Sequence, residues 1–379
     1  MRYHPVKPSV VILAGIRWDF LWQRHQTLAT LFARSGYPTV FVETTGLAFP
    51  RPGKATRNVL SRIRRSLRRN ENLQGRENLT VYAPLTAPPT LKPFLWVNET
   101  FLIPRVLRDL LKIVGSRPLV VAYPPTRTTL DLISGLDPGL VLYDCSDDYE
   151  QFPGVPKDIA RTERELLLRA DLVSCTSRHL LEKARRVRPN AFLSGPAVDY
   201  DRFAILQDQP PADEVNTVCF FGDARGERID FDVLRAITGA GFELRIVGGL
   251  DGGKKELLEM PGVDYRGEVS HAELPGALAG VDAFVLPYKI NALTRAISPA
   301  KTYECLAAGS PVVAAPLPAM EELREYVYLA RRPEDYVRTL RGLWDEETEA
   351  KVRGGIERAR ENSWDARFAG LEEAMWRAM

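Results

Sequence analysis

Along the chain, short runs rich in valine, isoleucine and phenylalanine alternate with longer segments whose apolar positions recur every three or four residues. That is the pattern of a parallel sheet wound with crossover helices. In the first half the runs fall at "SVVILAG" (9–15), "PTVFVET" (38–44), "LTVYAP" (79–84), "PLVVAYP" (118–124), "LVLYDCS" (140–146), "DLVSCTS" (171–177) and "AFLSG" (191–195). The second half repeats the pattern at "TVCFFGD" (217–223), "FELRIVGG" (242–249), "VDYRG" (263–267), "DAFVLPY" (282–288) and "PVVAAPLP" (311–318). Nearly continuous apolar runs suit strands covered on both faces, so the expected fold class is α/β with two doubly wound, Rossmann-like domains. Between them "DQPPADE" (208–214) interrupts the periodicity with two prolines and three acids. The hinge is therefore expected between Pro196 and Pro211, giving domains at 1–205 and 206–362. In sheets of this kind ligands bind beyond the carboxyl ends of the strands, so two such domains would hold substrate in a cleft between them. The chain closes with "SWDARFAGLEEAMWRAM" (363–379), where Ser363 suits a helix cap. Trp364, Phe368, Leu371, Met375 and Trp376 form a stripe on that helix that needs a surface to dock against.

Composition sharpens this division. A chain of 379 residues exceeds what one core organises, and 45% apolar content fills two. The net charge of +2 hides an asymmetry: residues 1–197 carry 29 basic and 17 acidic side chains, a balance of +12, and residues 198–379 carry 22 and 32, a balance of −10. Anionic partners are expected for the first half. Cys145, Cys175, Cys219 and Cys305 form no CxxC pair and read as reduced core residues of a cytosolic protein. The first apolar run is too short to span a membrane and has no cleavage site after it. Four scattered histidines give a metal little to bind.

The stretch "ISPAKTYECLAAGSPVVAAPLP" (297–318) carries the clearest chemistry. Ser298 suits an N-cap and Pro299 the first helical position, which puts Lys301 and Glu304 three apart on one helix face. Unpaired N–H groups at such a terminus, with a lysine beside them, make an anion site fit for a diphosphate. Glu304, one turn deeper, can accept two hydrogen bonds from a vicinal diol such as a ribose. A capped helix with a surface Lys–Glu pair is the plainer reading. Gly309 followed at once by a buried strand argues that the helix packs within its domain.

From "GVDYRGEVSHAELPGALAGVDAFVLPY" through "SPAKTYECLAAGSPVVAAPLP" the chain resembles the donor-binding half of GT-B glycosyltransferases, in particular family 4-like members, glycosyl transferase group 1. "AGIRWDFLWQRHQTLATLFARSGYPTVFVETTG" resembles their first strand, glycine loop and helix. "LVSCTSRHLLEKA" with "AVDYDRF" resembles the approach to their hinge, and "SWDARFAGLEEAM" their last helix, which crosses back to the first domain. The resemblance implies a nucleoside-diphosphate-sugar donor with Glu304 on the ribose and Lys301, Ser298 and Thr302 at the diphosphate. It also implies Gly222 opening the loop after the first strand of the second domain, and Arg225 or Arg228 reaching the phosphates. Gly15, Arg17 and Trp18 would lie on the acceptor side. It implies retention of configuration and no metal, because protein cations serve the diphosphate. The chain departs from the family at Ala296, where many members carry a glutamate, at "PAVD", and at "GDARGER".

Other signals are weaker. "DYD" (199–201) and "DFD" (230–232) match a metal-binding pattern but read as structural, and "GGLDGG" (248–253) reads as a strand-end loop. "YDCSDDY" (143–149) sets Asp144, Asp147 and Asp148 at a strand end, either as capping and solvated charge or with Asp147 or Asp148 near the acceptor hydroxyl as a base. Residues 51–76 hold nine basic side chains and one acid, with Leu60, Ile63 and Leu67 at helical spacing. This is a solvated loop or a segment lying on anionic lipid at the inner face of the cell membrane. "LKPFLWVNETFLIPRVL" (91–107) adds apolar length nearby, and no reader motif points to nucleic acid. The expected function is sugar transfer to a glycan or lipid-linked acceptor. The alternatives are a GT-B-fold sugar-nucleotide epimerase and a non-catalytic GT-B protein binding a glycan or membrane.

Overall fold

The computed structural model describes residues 7–19, 22–43, 71–72, 77–87, 92–152, 154–209, 214–224, 226–250, 255–295, 297–343 and 345–379. They form two compact units, Met1–Ser194 with Phe368–Met379, and Gly195–Arg367. Arg225, Ala296 and all of the basic segment 51–76 except Glu71–Asn72 lie outside the described residues.

The first unit is built on β1 (Val10–Leu13), β2 (Thr39–Val42), β3 (Glu71–Asn72), β4 (Leu79–Tyr82), β5 (Leu119–Ala122), β6 (Leu140–Cys145), β7 (Leu172–Cys175) and β8 (Phe192–Leu193). Their order is β3-β4-β2-β1-β5-β6-β7-β8, parallel except for β3 against β4. Every residue of β1, β2, β5 and β6 is buried, as expected of strands with helices on both faces. The helix Trp364–Ala378 contributes Phe368, Leu371 and Met375 to this core. Phe368 meets Phe32 edge to face at 4.9 Å, and Glu372 accepts from Tyr37 Oη at 2.7 Å and Lys7 Nζ at 2.9 Å.

The second unit holds β9 (Thr217–Phe221), β10 (Glu243–Val247), β11 (Val263–Gly267), β12 (Ala283–Leu286), β13 (Val312–Ala314) and β14 (Tyr328–Leu329). These pair in the all-parallel order β11-β10-β9-β12-β13-β14, the doubly wound arrangement. This is the α/β, two-domain fold read from the sequence. The units divide ahead of the expected boundary at 205. Val198, Phe203 and Leu206 are buried in the second core, and Val198 exchanges backbone hydrogen bonds with Asn362 and Trp364. The two-residue strands β3 and β14 are additional to the runs read from the sequence, and β3 stands in no apolar run of the kind that marks the equally short β8.

Candidate functional site

Each sheet reverses its winding at one point, between β1 and β5 in the first unit and between β9 and β12 in the second. Crevices for ligands open beyond the strand ends at such points. In the second unit β9 runs into Gly222, whose φ of 111° is a region that side chains with a Cβ rarely adopt. A Cβ there would lie 2.1 Å from Lys301 Nζ. The lysine therefore lies directly across the glycine backbone. Its ammonium donates to Phe221 O at 2.7 Å and sits 4.8 Å from the centre of the Phe220 ring. Gly248, at the end of β10, approaches just as closely: a Cβ on it would come within 2.3 Å of Gly222 O. Lys301 is partly exposed, and among the described residues it meets a carbonyl and aromatic faces rather than a carboxylate. A phosphate would supply the missing counter-charge.

The helix Lys301–Ala308 begins later than its sequence suggests. Its N-cap is Ala300, which has no side chain to cap with, so Ser298 does not cap it and Lys301 is the first helical residue rather than the third. Two first-turn amides are already engaged, Thr302 N with Pro299 O at 3.1 Å and Tyr303 N with Ala300 O at 3.3 Å. The candidate anion site is thus centred on the Lys301 ammonium more than on bare N–H groups. Thr302 does not belong to it: the residue is fully buried and its hydroxyl points at Met320 Sδ, 3.7 Å away. Glu304 lies one turn on from Lys301, about one-fifth exposed, with Oε1 3.7 Å from His271 Nε2. Arg228 occupies the turn after Ala224, where Lys289 N binds its carbonyl at 2.8 Å and Lys289 Nζ binds Gly226 O at 2.7 Å.

The first unit answers its charges differently. Asp144, at the end of β6, is fully buried. It accepts from Arg24 Nε at 2.6 Å, Arg24 Nη2 at 3.1 Å and Ser174 Oγ at 2.6 Å, while Arg24 also reaches Ser194 Oγ at 2.9 Å. Burial alone would raise the Asp144 carboxyl, but the Arg24 guanidinium with Ser174 and Tyr123 holds it below the usual carboxylate range. His25, stacked 3.8 Å from Tyr123, is pushed down to about 3 by burial and is neutral at physiological pH. Asp148 is sealed as well: Lys183 Nζ lies 2.7 Å from it and 2.8 Å from both Glu150 and Glu163. It is not available to an acceptor hydroxyl. Asp147 is half-buried, with Ser146 Oγ donating to it at 3.3 Å. Gly15 has φ 69°, and the close neighbour it admits is Pro124, 2.9 Å from where a Cβ would stand. Arg17 is spent on an exposed pair with Asp19 at 2.7 Å. Trp18 packs edge to face with Phe41 at 4.9 Å and Trp22 at 5.7 Å, and its backbone N–H donates to Glu43 Oε1 at 2.9 Å.

Residues 231–373 match the family described as glycosyl transferase-like. A protein of Bacillus subtilis (strain 168) that carries the name teichuronic acid biosynthesis glycosyltransferase TuaH is 27% identical over 263 residues, 60% of this chain and 64% of its own length. The match therefore takes in less than two thirds of that relative. Sucrose-phosphate synthase from Thermosynechococcus elongatus superposes with a TM-score of 0.69 at 14% identity, over 98% of each chain. Anabaena HepE in complex with UDP-glucose gives 0.67 at 12%, over 97% of this chain and 99% of its own. The chain has the two-domain GT-B fold of these structures.

Within this GT-B chain the structure brings together Gly222, Lys301 and Glu304, the core of the expected donor site. Arg225 lies outside the described residues. His271 was missed, because a lone histidine in a loop gives no signal until the sheet order carries the residues after β11 to the helix that holds Glu304. Arg24 and Asp144 as a pair were missed too, being 120 residues apart. The two D-x-D patterns are structural: Asp199 pairs with Arg202 at 2.8 Å, and Asp230 caps the helix Phe231–Gly239 through Asp232 N at 3.0 Å. An open cavity of about 560 Å³ elsewhere in the second unit is lined by Gln207, Gln209, Asp282 and Arg353 among others. Two of its polar groups are already bound within the unit, Gln207 Nε2 to Ala307 O and Gln209 Oε1 to Gly280 N, both at 2.7 Å. It is the weaker candidate.

Proposed function

We propose that the chain transfers a sugar from a nucleoside-diphosphate sugar to a glycan or lipid-linked acceptor, with retention of configuration, on the cytoplasmic side of the cell. One observation carries this reading. A lysine with no carboxylate partner among the described residues lies across a glycine at the winding reversal of the second sheet, one helical turn from a glutamate about one-fifth exposed. An ammonium there meets the diphosphate and stabilises charge on it as the glycosidic bond breaks. Glu304 accepts from the ribose hydroxyls, and Ser298, partly exposed before the helix, stands near the phosphates. The relatives support the substrate class. HepE is described with UDP-glucose, and with UDP and glucose, and the Bacillus relative is named for teichuronic acid biosynthesis. In a retaining reaction the departing diphosphate can take the acceptor proton, so Asp147 need not serve as a base.

The test is a thermal-shift panel of nucleoside diphosphates and nucleotide sugars on the wild type, Lys301→Ala and Glu304→Ala, followed by donor turnover with the ligand that binds. The expected result is a shift with one diphosphate that both variants reduce, and release of that diphosphate when acceptor is added. No shift with any member of the panel would overturn the reading in favour of a non-catalytic GT-B protein. Interconversion of the free nucleotide sugar would favour an epimerase.

A further inference from the structure

The helix Lys92–Val97 continues through a π-helical turn, Asn98–Leu102, into the helix Ile103–Val114. Wide turns of this kind shift the phase of the faces on either side, and they recur at functional positions. Here Asn98 turns inward and closes a two-way bond with Ala87, at 2.7 Å to its N–H and 2.8 Å to its carbonyl. Ile103, Val106, Leu110 and Val114 are buried. Leu107 seats the segment on the next helix, with Cδ1 2.2 Å from where a Cβ of Gly135 would stand. The opposite face is thereby fixed outward. It bears Trp96 at 59% exposure and Phe101 at 58%, edge to face at 5.4 Å, with Leu111 at 38%. Arg105, Arg108 and Lys112 are exposed beside them. The two acids of the stretch are turned to other partners, Glu99 towards Arg127 at 3.7 Å and Asp109 to Tyr82 Oη at 3.3 Å.

Two large aromatics held in the open cost solubility unless something covers them. We propose that this face docks on an anionic phospholipid surface, with Trp96 and Phe101 at the level of the headgroups and Arg105, Arg108 and Lys112 on the phosphates. Among the described residues no helix is long and apolar enough to cross a membrane, so the contact is one of lying on it rather than spanning it. Charge complementarity selects the occupant. A second copy packed on the same face about a two-fold axis would bring the three cations against their own kind, whereas an acidic bilayer answers all of them. The surface is distinct from the basic segment 51–76 singled out in the sequence, and it does not depend on the transfer reading.

The test is flotation of the full chain with vesicles of phosphatidylcholine alone and of phosphatidylcholine with phosphatidylglycerol. The wild type is expected to float with the anionic vesicles, less so as salt is raised, and not with the neutral ones. Trp96→Ala/Phe101→Ala is expected to lower the partition coefficient on the order of tenfold or more, since each buried aromatic contributes substantially to such binding. Arg105→Glu/Arg108→Glu should lower it too and remove its salt dependence. All four residues are exposed, so melting temperature and nucleoside diphosphate binding should stay at the wild-type values, which separates failure here from failure of the donor site. Wild-type binding by the aromatic variant would overturn the proposal and place any lipid contact elsewhere. So would absence of flotation by the wild type, or a dimer in lipid-free solution that Trp96→Ala/Phe101→Ala dissolves.

Discussion

The carboxyl ends of the two sheets use ionic groups in opposite ways. In the first unit Arg24 and Asp144 face each other in the interior, and Lys183 gathers three acids. In the second unit Lys301 lies half-exposed over a glycine, held by one carbonyl and a ring. A buried charge must be answered by the protein itself, because leaving it unpaired costs several kcal/mol. A charge left without a carboxylate at a strand end is available to a ligand. The first edge is therefore closed by the protein's own charges, and the second is the candidate anion site, although both stand at strand carboxyl ends of sheets wound in the same way.

The sharpest way to break this comparison is Asp144→Ala. It strands the Arg24 guanidinium in the interior, and removing one partner of a buried pair costs about 3–5 kcal/mol. Urea unfolding should show the loss, and a change below about 1 kcal/mol would mean that the first edge is solvated after all. The next effect is one of pH. The folded value for His25, about 3, lies below its ordinary value of 6.5. The unfolded chain therefore takes up the proton first, and stability is full above pH 6.5 and falls as pH drops towards 3. The slope is about 1.4 kcal/mol per pH unit, or roughly 3 kcal/mol between pH 6.5 and 4.5. His25→Gln should flatten that slope in unfolding curves taken across the range. An unchanged slope would assign the acid sensitivity to other groups.

At the second edge the expected effects are on binding. Lys301→Ala removes the charge and should weaken diphosphate binding about 10- to 100-fold, the worth of a charge-assisted hydrogen bond. Gly222→Ala should reach a similar loss by another route. Its Cβ and the lysine claim the same space, so Lys301 is displaced with its charge intact. Isothermal titration with the diphosphate found by the thermal-shift panel measures both. Full affinity in Gly222→Ala would show that the anion is held elsewhere.

How far the sequence went follows from the range over which each feature is encoded. Strands such as "VVIL" and "AFVL" announce themselves because burial on both faces leaves an unbroken apolar run. Lys301 and Glu304 were legible because their spacing is set within one helical turn. Gly222 was legible as a strand-end glycine, but its reason, the lysine passing 79 positions later in the chain, was not. The Arg24–Asp144 pair and the approach of His271 to Glu304 depend on which strands lie side by side, and residue type says nothing of that. Thr302 misled for the same reason: its place in a motif beside Lys301 does not reveal that the helix turns it towards Met320.

Ser298→Ala has the smallest expected effect and tests the finest point of the comparison. A serine that caps a helix loses about 1 kcal/mol when replaced by alanine. Here the cap position belongs to Ala300 and the first-turn amides bind the carbonyls of Pro299 and Ala300, so no such bond is lost. The melting temperature without ligand should hardly move, corresponding to less than about 0.5 kcal/mol. Any effect should then appear only when diphosphate is present, as a loss smaller than that of Lys301→Ala, because a neutral hydroxyl contributes less to an anion than an ammonium does. A destabilised free protein would return Ser298 to the role of a cap and make its place in the motif structural. A loss confined to the liganded state would make it a contact, and would show that the open edge of the second sheet is completed by the residues just ahead of the helix as well as by Lys301.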